Sequence, residues 1–427
     1  MSTFSDASAA PKVTGRTWTI ILLLGLAGQI AWNVENTWFA TFVYDTITPD
    51  SRPIAAMTAI SALVATIATL GVGAWSDRIG RRKPFIVIGY VLWALSTAIY
   101  PASALPQSIG IAVFLVIVLD SVMTLFGSSA YDAAFNAWVT DVTKQGNRGV
   151  VEGVLQALPV LATMIGMGVS GFVIDAYGYT PFFLALGGVV LAMGLIGGFL
   201  LDDAPDLVPG PSFAVWAEIR ALFTPSSIKA HADLFLVFTG LCVFAIGFQI
   251  SWPYEVIYLN NTLGISKAHA GLVTAAVAPV LILLALPIGR LTDKGHGFAV
   301  AMVGYIVSAL GFVGFGLSHS LIWLAVFGAL KSVGLLMNIV LVSWHRNLLP
   351  DDSRGAYQGV RMIFMVLIPM ALGSAIGSFL IQTLGEPAII DGRSGVTPSS
   401  AVYWASALLV LSALIPVVIL RRRSVRG

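Results

Sequence analysis

Apolar residues in this chain fall in long, nearly unbroken runs separated by short polar breaks. Twelve such runs lie at about 17–44, 53–75, 84–104, 108–140, 149–176, 180–201, 233–260, 268–290, 297–317, 319–347, 355–384 and 398–420. Each has the roughly 20 residues that a helix needs to cross a hydrocarbon core of about 30 Å. Several are longer, which predicts tilted or projecting helices. The period-two alternation of barrel strands is absent, so helices are the spanning structure. One polar break is much longer than the rest. The stretch 202–231 carries Asp202-Asp203, several prolines, Glu218, Arg220 and Lys229, and it follows the sixth run. The pattern predicts an all-α membrane protein with twelve transmembrane helices in two pseudo-symmetric six-helix bundles, residues 1–201 and 232–427, joined by a linker at 202–231.

The two halves echo each other. Gln29-Ile30-x-Trp32-x-x-Glu35 returns 220 positions later as Gln249-Ile250-x-Trp252-x-x-Glu255. Gly73-x-x-x-Asp77-Arg78 after the second run returns 216 positions on as Gly289-x-x-x-Asp293-Lys294. Asp132, Trp138, Arg148-Gly149 and Gly153 map onto Asn338, Trp344, Arg354-Gly355 and Gly359, each 206 positions on. The matched blocks keep their order. Six spans per half gives repeats of the same orientation, related by an axis along the membrane normal, which places a binding site near the midplane where the halves meet.

Composition sharpens the class. Of 427 residues, 57% are hydrophobic and 10% charged, with a mean hydropathy of +0.89, against about 25% charged residues in a soluble chain. The net charge is only +2, yet its distribution is lopsided. Nearly all lysines and arginines fall on one side of the twelve-span layout, and only Arg52, Lys267 and Arg393 on the other. Positive charge marks the cytoplasmic face, so both termini are expected inside, in the plasma membrane. The basic tail, Arg421 to Arg426, reads as a juxtamembrane anchor rather than a nucleic-acid patch. The first 16 residues lack the features of a removable signal, so the first span is expected to act as an uncleaved anchor. The single Cys242 forms no intramolecular disulfide and matches no metal-ligand spacing.

Seven ionisable residues fall within or close to the spans: Glu35, Asp120, Asp132, Glu152, Glu255, Lys331 and Arg361. Such groups cost about 2.5 kcal/mol or more on insertion scales and mark ion or substrate pathways. Glu35, Asp120 and Glu255 are candidates for proton or cation coupling. Asp120, Thr124, Ser128 and Asp132 recur every four residues with Asn136 behind them, a polar stripe on one helix face. Lys331 sits near the middle of its span and needs an anionic partner among these acids. Around the acids lie Gln29, Trp32, Asn33, Asn36, Gln249, Trp252 and Tyr254. With Thr124, Ser128 and Lys331 they are the candidate substrate-binding set, because amides bond hydroxyl groups and flat rings stack on a pyranose. Trp38 reads instead as part of an interfacial aromatic belt.

The loop after the second run, Gly73-Ala74-Trp75-Ser76-Asp77-Arg78-Ile79-Gly80-Arg81-Arg82-Lys83, is the most specific motif. Gly73 allows close helix approach, Gly80 a turn with positive φ, and Asp77 can bond helix ends or an arginine. With Asp132, Asp141, Arg148, Glu152, Asp293, Arg354 and Arg361 it makes a candidate cytoplasmic gate of Gly73, Asp77, Arg78, Gly80, Arg81 and Arg82. This loop resembles the signature of the major facilitator superfamily, and the two-times-six layout fits that family over the whole chain. The blocks Trp32-Asn33-Val34-Glu35-Asn36-Thr37-Trp38-Phe39, Gln249-Ile250-Ser251-Trp252-Pro253-Tyr254 and Gly80-Arg81-Arg82-Lys83-Pro84-Phe85 are similar to its sucrose/proton symporter branch, which adjoins the glycoside–pentoside–hexuronide cation symporters. The resemblance implies uptake of a sugar or glycoside with a proton, or with sodium, and makes Glu35 the coupling residue.

No Gly-x-x-x-x-Gly-Lys-Ser/Thr phosphate loop, metal-ligand cluster or Ser-based triad occurs, so neither direct ATP drive, a cofactor nor an enzymatic activity is expected. The expected partners are a small solute, a proton or sodium and the bilayer, with no nucleic acid, and the chain is expected to act as a monomer. Two other readings stay open. A proton-coupled exporter of drugs or other organic solutes would usually carry Gly-Pro-x-x-Gly-Gly in the fifth span, where this chain has Leu158-Pro159-Val160-Leu161-Ala162-Thr163. A non-transporting membrane sensor would be expected to carry a long signalling tail.

Overall fold

The computed structural model describes residues 13–143, 145–205, 207, 209, 220–348 and 354–424. Helices fill the apolar runs: α1 (Gly15–Ile47), α2 (Ser51–Ile79), α3 (Lys83–Ala104), α4 (Ile109–Val142), α5 (Val150–Tyr177), α6 (Tyr179–Leu200) and α7 (Ala232–Thr262). A continuous 51-residue helical run, Lys267–Leu317, follows. It bends at Gly295, whose φ of 84° is non-helical, and so supplies two spans, α8 (267–291) and α9 (Gly297–Leu317). The series ends with α10 (Leu321–Trp344), α11 (Gly359–Leu384) and α12 (Ala401–Arg423). Of the residues read from the sequence, Lys12, Lys144, Glu218 and Arg426 lie outside the described residues.

Local chemistry sets the helix ends. Thr14 caps α1 by accepting from the amide of Thr17, and Asp50 caps α2 by accepting from the amide of Arg52; each satisfies an orphan donor of the first turn. At its other end α2 stops on Gly80, left-handed at φ 67°, a conformation glycine adopts without a Cβ penalty. Gly73 behaves differently from expectation. A Cβ there would meet nothing within 4 Å, so it serves no close helix approach. The tight crossings lie elsewhere. A Cβ on Gly311 of α9 would come within 2.1 Å of the Lys331 backbone on α10, the small-residue contact that lets membrane helices approach closely.

Large apolar side chains such as Phe199, Leu105, Ile322 and Leu283 lie on the outside, the inverse of a soluble protein and the natural state of a surface in lipid. Trp38 is not among them. It is fully buried and meets Phe182 edge to face, so the aromatic-belt reading of Trp38 is corrected: its ring is part of the core.

Both α1 and α12 place their outer termini at one end of the molecule, here the terminus end. Polar contacts between the helices before residue 201 and those after 232 gather at the opposite, far end. There Ser51 and Ser378 share a hydrogen bond at 2.9 Å, and Gln382 donates to Asp50 and Ser51. Lys267 pairs with Asp45 at 3.1 Å, and the amide of Ala268 donates to Asp175. Between α11 and α12 a short hairpin, β1 (Glu386–Ile390) and β2 (Arg393–Thr397), pairs antiparallel with Ile390 opposite Arg393. Its turn, Asp391-Gly392, has both residues at positive φ (48° and 76°), the geometry that matches strand twist in a two-residue loop. The all-helical pattern gave no sign of it, because two five-residue strands leave no hydrophobic periodicity of their own.

Candidate functional site

The two copies of the repeated Gln-Ile-x-Trp-x-x-Glu phrase end in breaks of regular α-helix. In α1 the residues Glu35–Phe39 form a π-helical turn. In α7 Pro253, which has no amide hydrogen, falls in a 3₁₀ turn at Trp252–Tyr254. These two irregular turns touch each other across the halves. Such bulges recur at functional sites because they re-aim side chains.

Beside them a narrow cavity of about 20 Å³ is lined by Glu35, Asn36 and Ala40 of α1, Met57, Thr58 and Ser61 of α2, Asp120 of α4, Pro253 of α7 and Met370 of α11. Both carboxylates are buried, Glu35 at 8% exposure and Asp120 at 2%. Each receives a hydroxyl: Thr124 donates to Glu35 Oε1 at 2.9 Å, and Ser61 donates to Asp120 Oδ2. The other Glu35 oxygen, Oε2, has no hydrogen-bond partner. No basic side chain lines the cavity among the described residues.

The remaining candidates divide between cavity, walls and core. Asn36 lines the cavity while its amide donates back to the Trp32 carbonyl. Gln29 donates to the Tyr131 hydroxyl, and Asn33 accepts from Thr163. Trp32 meets Trp93 at a tilt of 51°, ring centroids 5.2 Å apart, with its indole nitrogen unpartnered. Ser128 is fully buried in the same stripe as Thr124 and Asp120. Across the molecule, Trp252 packs on Phe248, Tyr254 donates to the Ser374 carbonyl, and Gln249 packs against Gly373 of α11.

Glu255 stands apart from Glu35. It accepts from Lys331, both side chains are at most 5% exposed, and neither lines the cavity. The Lys331 ammonium lies 4.7 Å from the Phe315 ring centroid, with Phe312, Phe248 and Tyr403 also within about 6 Å. Lys331 therefore has its anionic partner in Glu255 and does not reach the Glu35–Asp120 cavity.

Six lining residues were missed in the sequence: Ala40, Met57, Thr58, Ser61, Pro253 and Met370. A signal existed for two of them, since Thr58, Ser61 and Ala65 recur at helical spacing as small and polar positions on one face of α2. The methionines carry no such signal, because in an apolar run they look like any core residue.

At the terminus end the loop after α2 is organised around Arg82, only 4% exposed. Its guanidinium donates to Asp77 at 2.5 Å, Ser76 at 2.6 Å and Asp141 of α4 at 3.0 Å. The amides of Arg82 and Lys83 both donate to Asp203, and Arg16 and Lys83 pair with Asp202. Arg16 first, then Lys83, holds the exposed Asp202 carboxylate below the usual range. Gly80 packs against Pro209. Arg148 donates to the Thr140 carbonyl, while Arg78, Arg81, Glu152, Asp293 and Arg361 are exposed and Asp132 is half-buried on the α4 stripe. Arg354 begins the helix that leads into α11. The structure thus joins Asp77, Arg82 and Asp141 into one cluster within the first six helices, and Glu152, Asp293 and Arg361 are not part of it.

The profile described as Major Facilitator Superfamily matches residues 17–254 and again 237–427. An uncharacterised MFS-type transporter, YttB of Bacillus subtilis (strain 168), is 28% identical over 145 residues, 33% of this chain, and the match spans about a third (36%) of that relative's length. The fold is similar to a solved nucleoside transporter, NupG, with a TM-score of 0.75 at 14% identity, covering 95% of this chain and 100% of the other. It is similar to a D-xylose–proton symporter with a TM-score of 0.70 at 14% identity over 94% of this chain and 97% of that one. The xylose transporter XylE of E. coli gives 0.66 at 13% identity, over 94% and 97%.

Proposed function

For this chain, which belongs to the major facilitator superfamily and is a multi-pass membrane transporter, we propose proton-coupled symport of a sugar or glycoside by alternating access. One observation carries the reading. Two buried carboxylates, Glu35 and Asp120, line one cavity between the halves with no basic partner among its lining residues, and Glu35 Oε2 is unsatisfied. A lone buried charge is costly and is relieved when the group takes up a proton or a cation. Asn36, Thr58 and Ser61 beside them supply the amide and hydroxyl groups that a polyhydroxylated solute needs. The matching blocks around Trp32 and Trp252 favour the sugar branch of the family. Glu255, held by Lys331, has its charge compensated and serves as a fixed element of the second half rather than as a coupling group.

The lysines and arginines crowd at the terminus end, which we assign to the cytoplasm, with the chain in the plasma membrane. On this orientation the closed seam at Asp45, Ser51 and Ser378 faces outside. Domain limits at 1–201 and 232–427 fit the two groups of six helices, with Asp202 and Asp203 of the linker tied to Arg16, Arg82 and Lys83.

A second reading rests on the same acid-only lining, which also suits an organic cation exported in exchange for protons. Proton movement in proteoliposomes during addition of mono- and disaccharides separates the two, with sodium varied independently. Alkalinisation outside the vesicles on adding a sugar supports symport. No response to any sugar, together with efflux of a cationic dye under a pH gradient, replaces it with the exporter reading.

A further inference from the structure

Three basic residues lie away from the rest in the charge pattern, Arg52, Lys267 and Arg393, and all three sit at the far-end seam. Arg393 opens β2 and reaches across to the first half. Its guanidinium donates to the Thr46 carbonyl at 2.9 Å, the Ile47 carbonyl at 2.8 Å and the Asp45 carbonyl. Those are three of the last carbonyls of α1, which lack partners within the helix and carry the negative end of its dipole. The rest of the hairpin follows: Tyr44 donates to the Val396 carbonyl at 2.8 Å, and the Val396 amide donates to Pro49 at 3.4 Å. A Cβ on Gly395 would lie 2.4 Å from the Pro49 carbonyl oxygen, so only glycine permits this docking. The reverse contact runs the other way across the seam. Asp175 of α5 accepts from the Ala268 amide at 2.8 Å, satisfying a first-turn donor of α8. Asp45 adds Lys267 at 3.1 Å, Tyr179 at 2.7 Å and Asn261 at 3.3 Å.

We propose that the β1–β2 hairpin is a latch on the far end of the transport path, with Arg393 the positioning residue that holds the end of α1, and with it the Glu35 turn, in the state closed at that end. Opening the far end separates α1 from the hairpin, and the helix end then loses its cap to water. The latch depends on the transporter fold alone and not on which solute or ion is carried, so its test needs no substrate.

The test uses the full chain with Cys242→Ser, which removes the single buried thiol, and a reporter cysteine at Ser378, buried in the seam at 4% exposure. A membrane-impermeant maleimide is added from the far side. Arg393→Ala is expected to raise the labelling rate at least about tenfold, since it removes three charge-assisted hydrogen bonds and the net loss of even one is worth about that factor. Arg393→Lys should fall between, since an ammonium cannot span three carbonyls. Gly395→Ala should act in the same direction without changing charge. In matched chains with the reporter at Asn136, at the terminus end of the α4 stripe, labelling from that side should fall. Unchanged Ser378 labelling in both Arg393→Ala and Gly395→Ala overturns the latch. Faster labelling at both reporters overturns it too, because Arg393 would then only support folding. Should Arg393→Ala fail to fold, Arg393→Lys and Gly395→Ala carry the same comparison.

Discussion

Lys331 of α10 donates to Glu255 of α7 inside a box of Phe248, Phe312, Phe315 and Tyr403. The first half makes the corresponding contact with a hydroxyl: Thr124 of α4 donates to Glu35 of α1. The same helix pair thus meets at a glutamate in each repeat. In one it is neutralised by a fixed cation, and in the other it faces a cavity beside a second acid. This difference divides the repeats into a half whose glutamate is paired with a buried lysine and a half whose glutamate faces a cavity with no basic lining residue.

Removing that lysine should cost folding rather than specificity. Lys331→Met leaves Glu255 buried and unpaired, a loss of about 3–5 kcal/mol. The double variant Lys331→Met/Glu255→Gln should recover most of it, because an uncharged pair needs no partner charge. Thermal unfolding in detergent measures both. A double variant no more stable than the single would show that another acid is the partner that matters.

Glu35→Gln should abolish accumulation against a gradient while leaving exchange of labelled solute, since the amide keeps the shape and cannot carry a proton. Asp120→Asn should behave likewise in part, because its carboxylate shares the cavity. Concentrative uptake and counterflow, measured side by side, decide this. Normal concentrative uptake by Glu35→Gln removes Glu35 from coupling.

Asp77→Asn weakens one of three side-chain contacts that hold the Arg82 guanidinium. The loop should stay folded on Asp141 and Ser76, and the balance between the states open at either end should move without loss of solute binding. Cysteine accessibility from both faces, with binding measured by calorimetry, reports this. Accessibility unchanged on both faces would remove Asp77 from the gate.

The hydroxyls of Ser51 and Ser378 are 2.9 Å apart across the seam, close enough for cysteines to form a disulfide with little backbone movement. Ser51→Cys/Ser378→Cys on the Cys242→Ser chain should stop transport when oxidised and regain it on reduction. Undiminished transport by the oxidised protein would mean that this seam does not open during the cycle.

Sequence alone determined what depends on local composition and period. Runs of about 20 apolar residues have to span as helices because lipid offers the backbone no partners. Duplicated blocks carry the two-times-six arrangement, and Gly80 announced its left-handed turn because few other residues take it. Buried carboxylates were visible as chemistry because an acid is rare in such surroundings. Only tertiary structure decided which groups meet. Lys331 had several acids within reach along the chain, and the α9–α10 crossing at Gly311 with the placement of α7 selected Glu255. Trp38 looked like a belt residue because depth can be read from a sequence while facing cannot, and packing against Phe182 turned it inward. The cavity wall of Thr58, Ser61 and Met370, and the reach of Arg393 to the end of α1, join residues up to 348 positions apart. Contacts at such separations are fixed by how whole helices pack, which no local window of the chain contains.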